Sequence, residues 1–90
     1  MGTALLKIKI MPESPTTDLD QIESQASKII EENQGKNTKL EKEPIAFGLT
    51  AVIATFSIDE SLPTDVFEQK LKEISNVSSA EIIDFRRALG

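Results

Sequence analysis

The run Ala4-Leu5-Leu6-Lys7-Ile8-Lys9-Ile10-Met11 puts Leu6, Ile8 and Ile10 on one face of an extended chain and Lys7 and Lys9 on the other. A period of two is that of a strand buried on one side. Pro12-Glu13-Ser14-Pro15-Thr16-Thr17 follows, with two prolines to stop the strand and open a loop. Asp18 is then a good helix N-cap, and Gln21 three residues on can answer it. Beyond it Leu19, Ile22, Ala26, Ile29 and Ile30 recur at helical spacing, with Asp20, Glu23, Lys28, Glu31 and Glu32 facing out. Gly35 follows directly and suits a helix C-cap. A half-buried strand running into an amphipathic helix is the first half of a β-α-β unit.

The rest of the chain completes the pattern. Residues 37–45 are polar and end in Pro44, which fits an edge strand. Leu49 to Ile58 is nearly all apolar or β-prone and reads as a central strand covered on at least one face. Pro63 and Thr64 open a second helix with Phe67, Leu71 and Ile74 as its buried stripe, and Asn76 ends it. Val77 to Phe85 is a last strand, with Ile82 and Ile83 at its centre and Arg86-Arg87 at its end.

The expected order is β-α-β-β-α-β, with strands near 4–11, 37–45, 49–58 and 77–86 and helices near 18–34 and 64–75. Two right-handed β-α-β crossovers on one antiparallel sheet give an α+β, ferredoxin-like plait of four strands with both helices on one face. Strands 1–11 and 49–58 are expected to be parallel neighbours. Ninety residues are expected to form one domain, 1–90. This fold hosts many unrelated functions and names none of them.

Composition narrows the chemistry. The chain has no Cys and no His, which removes disulfides, thiolate sites, the commonest general base and the commonest transition-metal ligand. Asp18 with Asp20, Glu31 with Glu32 and Asp59 with Glu60 invite a metal or acid-base reading, yet no calcium-loop spacing accompanies them and solvated charge is the simpler reading. No Gly-rich phosphate loop and no G-x-S-x-G elbow occur. No catalytic residue, metal or cofactor is therefore assigned, and the chain is not expected to be an enzyme. The net charge is −5, and it is spread over both halves: residues 1–45 hold six Lys and eight acids, residues 46–90 four basic groups and seven acids. Without a basic stripe, direct nucleic-acid binding is not expected. Met1 to Leu6 is too short an apolar run for a signal peptide or membrane span, so the expected location is the cytoplasm.

Two features stand apart. Pro44-Ile45-Ala46-Phe47-Gly48 places an apolar tripeptide between Pro and Gly at the junction of two strands. Gly48 can adopt backbone conformations closed to other residues and so direct Phe47, although a large apolar residue is on general grounds first assigned to the core. Arg86 and Arg87 are the only arginines. An ordinary solvated terminus is their simplest reading, and strand alternation sends them to opposite faces.

Three stretches together resemble the archaeal translation elongation factor 1-beta family: Lys7-Ile8-Lys9-Ile10-Met11-Pro12-Glu13-Ser14-Pro15, Glu43-Pro44-Ile45-Ala46-Phe47-Gly48-Leu49 and Asp84-Phe85-Arg86-Arg87. The likeness runs over the whole chain. It implies a guanine nucleotide exchange factor that binds elongation factor 1-alpha, the GTPase carrying aminoacyl-tRNA, and promotes GDP release. It implies that Phe47, flanked by Ile45 and Gly48, is exposed in the free protein and enters an apolar pocket on that GTPase. It also implies a basic group near the Mg²⁺ and phosphate site. Aligned on the last strands, that group is Arg87, with Arg86 beside it, where eukaryotic relatives carry a next-to-last Lys. Here the residue is Arg, and Ala88-Leu89-Gly90 follow it. The expected partner is thus the GTPase alone, with no membrane and a monomer when free.

A second reading is a ferredoxin-like regulatory module that senses a small molecule, which requires a polar pocket and a dimer. A plait enzyme of the acylphosphatase kind needs a phosphate-cradling loop with a positioned Arg. RNA binding on the open sheet face needs aromatic side chains on the central strands, and Leu6, Ile8 and Ile10 are not such a set.

Overall fold

Leu6, Ile8 and Ile10 are fully buried along strand β1 (Thr3–Pro12), while of the residues between them Lys7 is exposed and Lys9 half-buried, in a computed structural model that describes residues 2–88. The chain continues through α1 (Leu19–Glu32), β2 (Lys36–Pro44), β3 (Thr50–Asp59), α2 (Asp65–Lys72) and β4 (Val77–Ala88). The four strands form one antiparallel sheet in the order β2-β3-β1-β4, with both helices on one face: a ferredoxin-like plait. The core lies between helices and sheet. Ile22, Ala26 and Ile30 of α1 and Phe67 and Leu71 of α2 meet Leu6, Ile8, Val52, Ala54 and Phe56 there. The rings of Phe56 and Phe67, 4.9 Å apart and tilted by 52°, join β3 to α2.

One expectation is corrected. β1 and β3 are neighbours, but they run antiparallel, from Thr3 opposite Asp59 to Ile10 opposite Val52. The α1 crossover carries β2 parallel to β1 with a gap between them. A hairpin after Pro44 then reverses the chain, so β3 fills the gap antiparallel to both strands.

The helix ends show where local chemistry decides. The Asp18 carboxylate accepts from the backbone N–H groups of Asp20 and Gln21 at 3.1 and 3.3 Å, the N-cap that the sequence suggests. At the other end the left-handed residue is Gln34 (φ 74°), not Gly35. Gln34 N donates to Glu31 O at 3.1 Å and Gly35 N to Ile30 O at 2.8 Å, which closes the last turn. Glycine is needed at 35 for space: a Cβ there would collide with Ile30 Cγ2 and lie 3.0 Å from Phe56 Cδ2. The second helix is shorter than expected. It stops at Lys72, where Glu73 N and Ile74 N turn back three residues to Lys70 O and Leu71 O. Ile74 stays buried, and Asn76 (φ 70°) leads into β4.

β2 is an edge strand, as its charges suggest, and nearly all its residues are exposed. Lys42 Nζ ties it to α1, 2.7 Å from Asp20 Oδ1 and 4.0 Å from Glu23 Oε1. β3 is covered on both faces. Ile53 lies on the face without helices, yet it is only 7% exposed, ringed by Lys7, Glu41, Glu43 and Ile83.

Candidate functional site at the two ends of the sheet

The β2–β3 hairpin carries the first set of candidate residues. Ile45 N donates to Leu49 O at 2.8 Å and Leu49 N to Ala46 O at 3.0 Å, so the turn is held by its own backbone. Phe47 and Gly48 follow one another in the left-handed region, with φ of 56° and 77°. Glycine adopts this region freely, whereas a bulky side chain there is strained. Phe47 is 96% exposed, and Ile45 beside it is 40% exposed. The assignment of Phe47 to the core on general grounds is therefore wrong. A hairpin tip offers no layer to pack against, and two left-handed residues in succession swing the ring away from the sheet.

The second set lies on β4. Arg87 stands opposite Ala4, Arg86 opposite Leu5 and Asp84 opposite Lys7. Directly opposed residues share a face. Arg87 is thus on the face that carries the helices, and Arg86 and Asp84 are on the open one, so the arginines are inequivalent. A register shift between Lys7 and Ile8 sets this phase: Ile8 pairs with Ile82, Lys7 with Asp84, and Ile83 is the extra residue. Both arginines are exposed. Arg86 Nε lies 3.0 Å from Asp84 Oδ2, while no ion pair of Arg87 occurs among the described residues. Asp84 has one signal in the sequence, its spacing of two from Arg86, which on a strand puts both on one side.

The structure does not bring the two sets together. The hairpin lies beyond Pro44 and Thr50, at the end of the sheet where Ile10 pairs with Val52. The arginines lie at the other end, where Ala4 pairs with Ile58 and Arg87. From Thr50 to Ile58 is eight steps along β3, or about 26 Å, in a molecule whose longest extent is 42 Å.

Other chemistry is sparse. Among the described residues no group of three or more Asp or Glu side chains is placed to hold a metal ion. No described helix is long and apolar enough to cross a membrane. Ser57, the buried polar residue, is engaged: its hydroxyl donates to Lys36 O at 3.1 Å and meets Asn37 Nδ2 at 3.3 Å. Among the described residues the other exposed large apolar ones are Leu5, Ile83 and Phe85, all on or beside β4.

Residues 5–88 match the family described as the EF-1 guanine nucleotide exchange domain. The chain is 36% identical over 88 residues to elongation factor 1-beta of Methanosarcina barkeri, covering 97% of this chain and 99% of the relative. It is 37% identical over 90 residues to elongation factor 1-beta of Methanobrevibacter smithii (99% and 100%), and 32% identical over 85 residues to that of Methanococcus maripaludis (93% and 96%). With residues 5–88 matched by the family model and the relatives covered over nearly their full length, the chain belongs to the EF-1 guanine nucleotide exchange domain family, the nucleotide exchange factors of translation elongation.

Proposed function

We propose that residues 1–90 act as one domain that binds elongation factor 1-alpha in the cytoplasm, as a monomer when free, and speeds release of its GDP. The observation that carries this reading is Phe47, 96% exposed at a hairpin tip that holds it in a strained conformation. Strained and exposed apolar residues are kept where a partner uses them. Phe47, with Ile45 beside it and Gly48 shaping the turn, fills an apolar pocket on the GTPase. At the far end Arg87 approaches the phosphate and Mg²⁺ site of that partner.

The factor breaks no bond. It binds the GTPase more tightly when nucleotide and metal have left, so by linkage it weakens nucleotide binding by the same factor. When Mg²⁺ leaves, phosphate and carboxylate oxygens are crowded and under-neutralised, and a guanidinium supplied from outside stabilises that state. Arg87 suits this task better than Arg86, whose charge is shared with Asp84. Neither nucleic acid nor membrane takes part in the contact.

The test is release of a fluorescent GDP analogue from elongation factor 1-alpha of the same cell, with and without this protein. Release should accelerate in proportion to added factor until it saturates. An unchanged rate at saturating concentrations overturns the proposal.

A further inference from the structure

The sheet has two outer strands, and the chain treats them differently. The edge of a sheet offers unpaired backbone N–H and C=O groups to any other chain. On β2 the side chains deter pairing: Lys36, Lys39, Glu41, Lys42 and Glu43 are all exposed, and Pro44 closes the strand. β4, the opposite edge, is apolar at its middle, where Ile83 is 47% and Phe85 42% exposed. There a side chain of α2 reaches the edge. Ile82 N donates to Glu68 Oε2 at 2.8 Å, immediately before the extra residue Ile83 at which the ladder with β1 shifts register. Glu68 is half-buried in the first turn of α2, and its carboxylate takes up an edge donor that β1 leaves unused.

The edge behind this carboxylate is complementary to itself. Ile82 stands opposite Ile8, and Phe85 opposite Leu6. Ile8 and Leu6 are two apart on β1, so the backbone groups of Ile82 and Phe85 point the same way, off the edge, and their side chains share the face that carries the helices. The bulge makes this possible, because residues three apart on a regular strand differ on both counts. Glu81, opposite Lys9, and Arg86, opposite Leu5, share the open face. Antiparallel pairing with a second copy, centred between Ile83 and Asp84, therefore sets Ile82 against the copy's Phe85 and Glu81 against the copy's Arg86, each twice.

We infer that Glu68 is a guard: its carboxylate occupies the Ile82 N–H and keeps β4 from pairing with β4 of a second copy. This rests on the proposed monomer and not on the exchange reading. Pairing would shut β4 inside a sheet continuous through both copies, whereas the guarded monomer leaves the strand that bears Arg86 and Arg87 open along its outer side.

The test is the oligomeric state. Pairing must break two such bonds, one in each copy. A hydrogen bond to a charged group is worth about tenfold or more in an equilibrium constant, so Glu68→Ala should raise the dimer association constant about 100-fold or more. In sedimentation equilibrium from micromolar to millimolar concentration, wild type stays near 9.9 kDa, and Glu68→Ala rises toward twice that mass. Alanine is a strong helix former, so α2 is retained. Glu68→Gln, which keeps a weaker, neutral acceptor, shifts the same way by less and serves if the alanine variant fails to fold. Arg86→Glu added to Glu68→Ala sets an acid against Glu81 of the copy at both ends and returns the protein to monomer. In dilute solution the Ile82 amide of Glu68→Ala exchanges with solvent faster than that of wild type.

Glu68→Ala protein that folds and stays monomeric at millimolar concentration overturns the inference. So does a dimer that survives Arg86→Glu, since it uses another surface, and so does an Ile82 amide equally protected in both proteins. A wild type that is already dimeric refutes the monomer reading and this inference with it, whatever its effect on GDP release.

Discussion

Replacing Phe47 by Ala should separate binding from folding, and the structure sets the size of the folding effect. The ring is 96% exposed, so about 4% of its surface is covered. Of roughly 200 Å² for such a side chain, that is about 8 Å², or about 0.2 kcal/mol at 25 cal/mol per Å². Alanine keeps the Cβ, so the left-handed strain at φ 56° is the same before and after. In a domain of this size 1 kcal/mol moves the melting temperature by about 4–8 °C, so the expected change is under about 2 °C. An aromatic anchor buried in a partner commonly costs ~2 kcal/mol or more on truncation, which is about a 30-fold rise in the concentration of factor needed for half-maximal GDP release. Phe56→Ala is the contrasting control. That ring is 1% exposed and packs on Phe67, and its loss should cost about 3–5 kcal/mol and lower the melting temperature by at least about 12 °C. The assays are thermal melting by circular dichroism and stopped-flow release of a fluorescent GDP analogue. A fall of more than about 4 °C for Phe47→Ala would show that the ring packs on its own protein, and an unaltered exchange curve would show that it anchors nothing.

The C-terminal arginines give a second test. Arg87→Ala should slow GDP release chiefly when Mg²⁺ is present and matter little after chelation, whereas Arg86→Ala, which breaks only the exposed pair with Asp84, should change release little in either condition; equal losses for Arg87→Ala with and without chelator would make it a docking contact. Gly35→Ala forces a methyl group into Ile30 and Phe56 and should cost about 2 kcal/mol by overpacking, read as a fall of about 10 °C in melting temperature with exchange at permissive temperature retained. Lys42 has its pKa held above the ordinary lysine range, first by its hydrogen bond to Asp20, then by that carboxylate's charge, with Glu23 adding to it. A pKa raised by folding stabilises fully below the unfolded value and is lost as pH rises through the folded one. The stability gap between wild type and Lys42→Met, small because the pair is exposed, should therefore close in alkaline solution and shrink at high salt; a gap constant with pH would show that the pair contributes nothing.

Most of the plait was legible because its signals are local and repeated. Alternation in β1, the Asp18 cap and the apolar spacing of α1 each report one periodicity, and each element lies within two or three residues of its expected place. The direction of β3 relative to β1 was not legible in the same way, since it follows from topology and not from any residue in either strand. The bulge at Ile83 left no mark either, because an extra residue in a strand looks like any other apolar residue. Gly35 was read as a conformational necessity and is a steric one; the contact with Ile30 and Phe56 that demands it is made by residues distant in sequence or in the preceding turn. Phe47 is the instructive case. Its residue type argued for the core, while its neighbours Pro44 and Gly48 argued for a turn, and the turn prevailed because a hairpin tip has no interior to bury a ring in.

The distance between the hairpin and the arginines has a consequence for how weak contacts can suffice. A rigid body that touches its partner at two places about 26 Å apart behaves as a bidentate ligand. On the proposed reading, once the hairpin is seated the guanidinium no longer has to find its target from solution, since the sheet delivers it at an effective concentration in the millimolar range or above. On that reading Arg87 should bind poorly on its own, because a cation that held the empty nucleotide site tightly would obstruct GTP. The stiffness of β3, buried on both faces between the two ends, is what converts affinity at one end into occupancy at the other. A short peptide carrying either end alone would keep the local chemistry and lose this chelate effect.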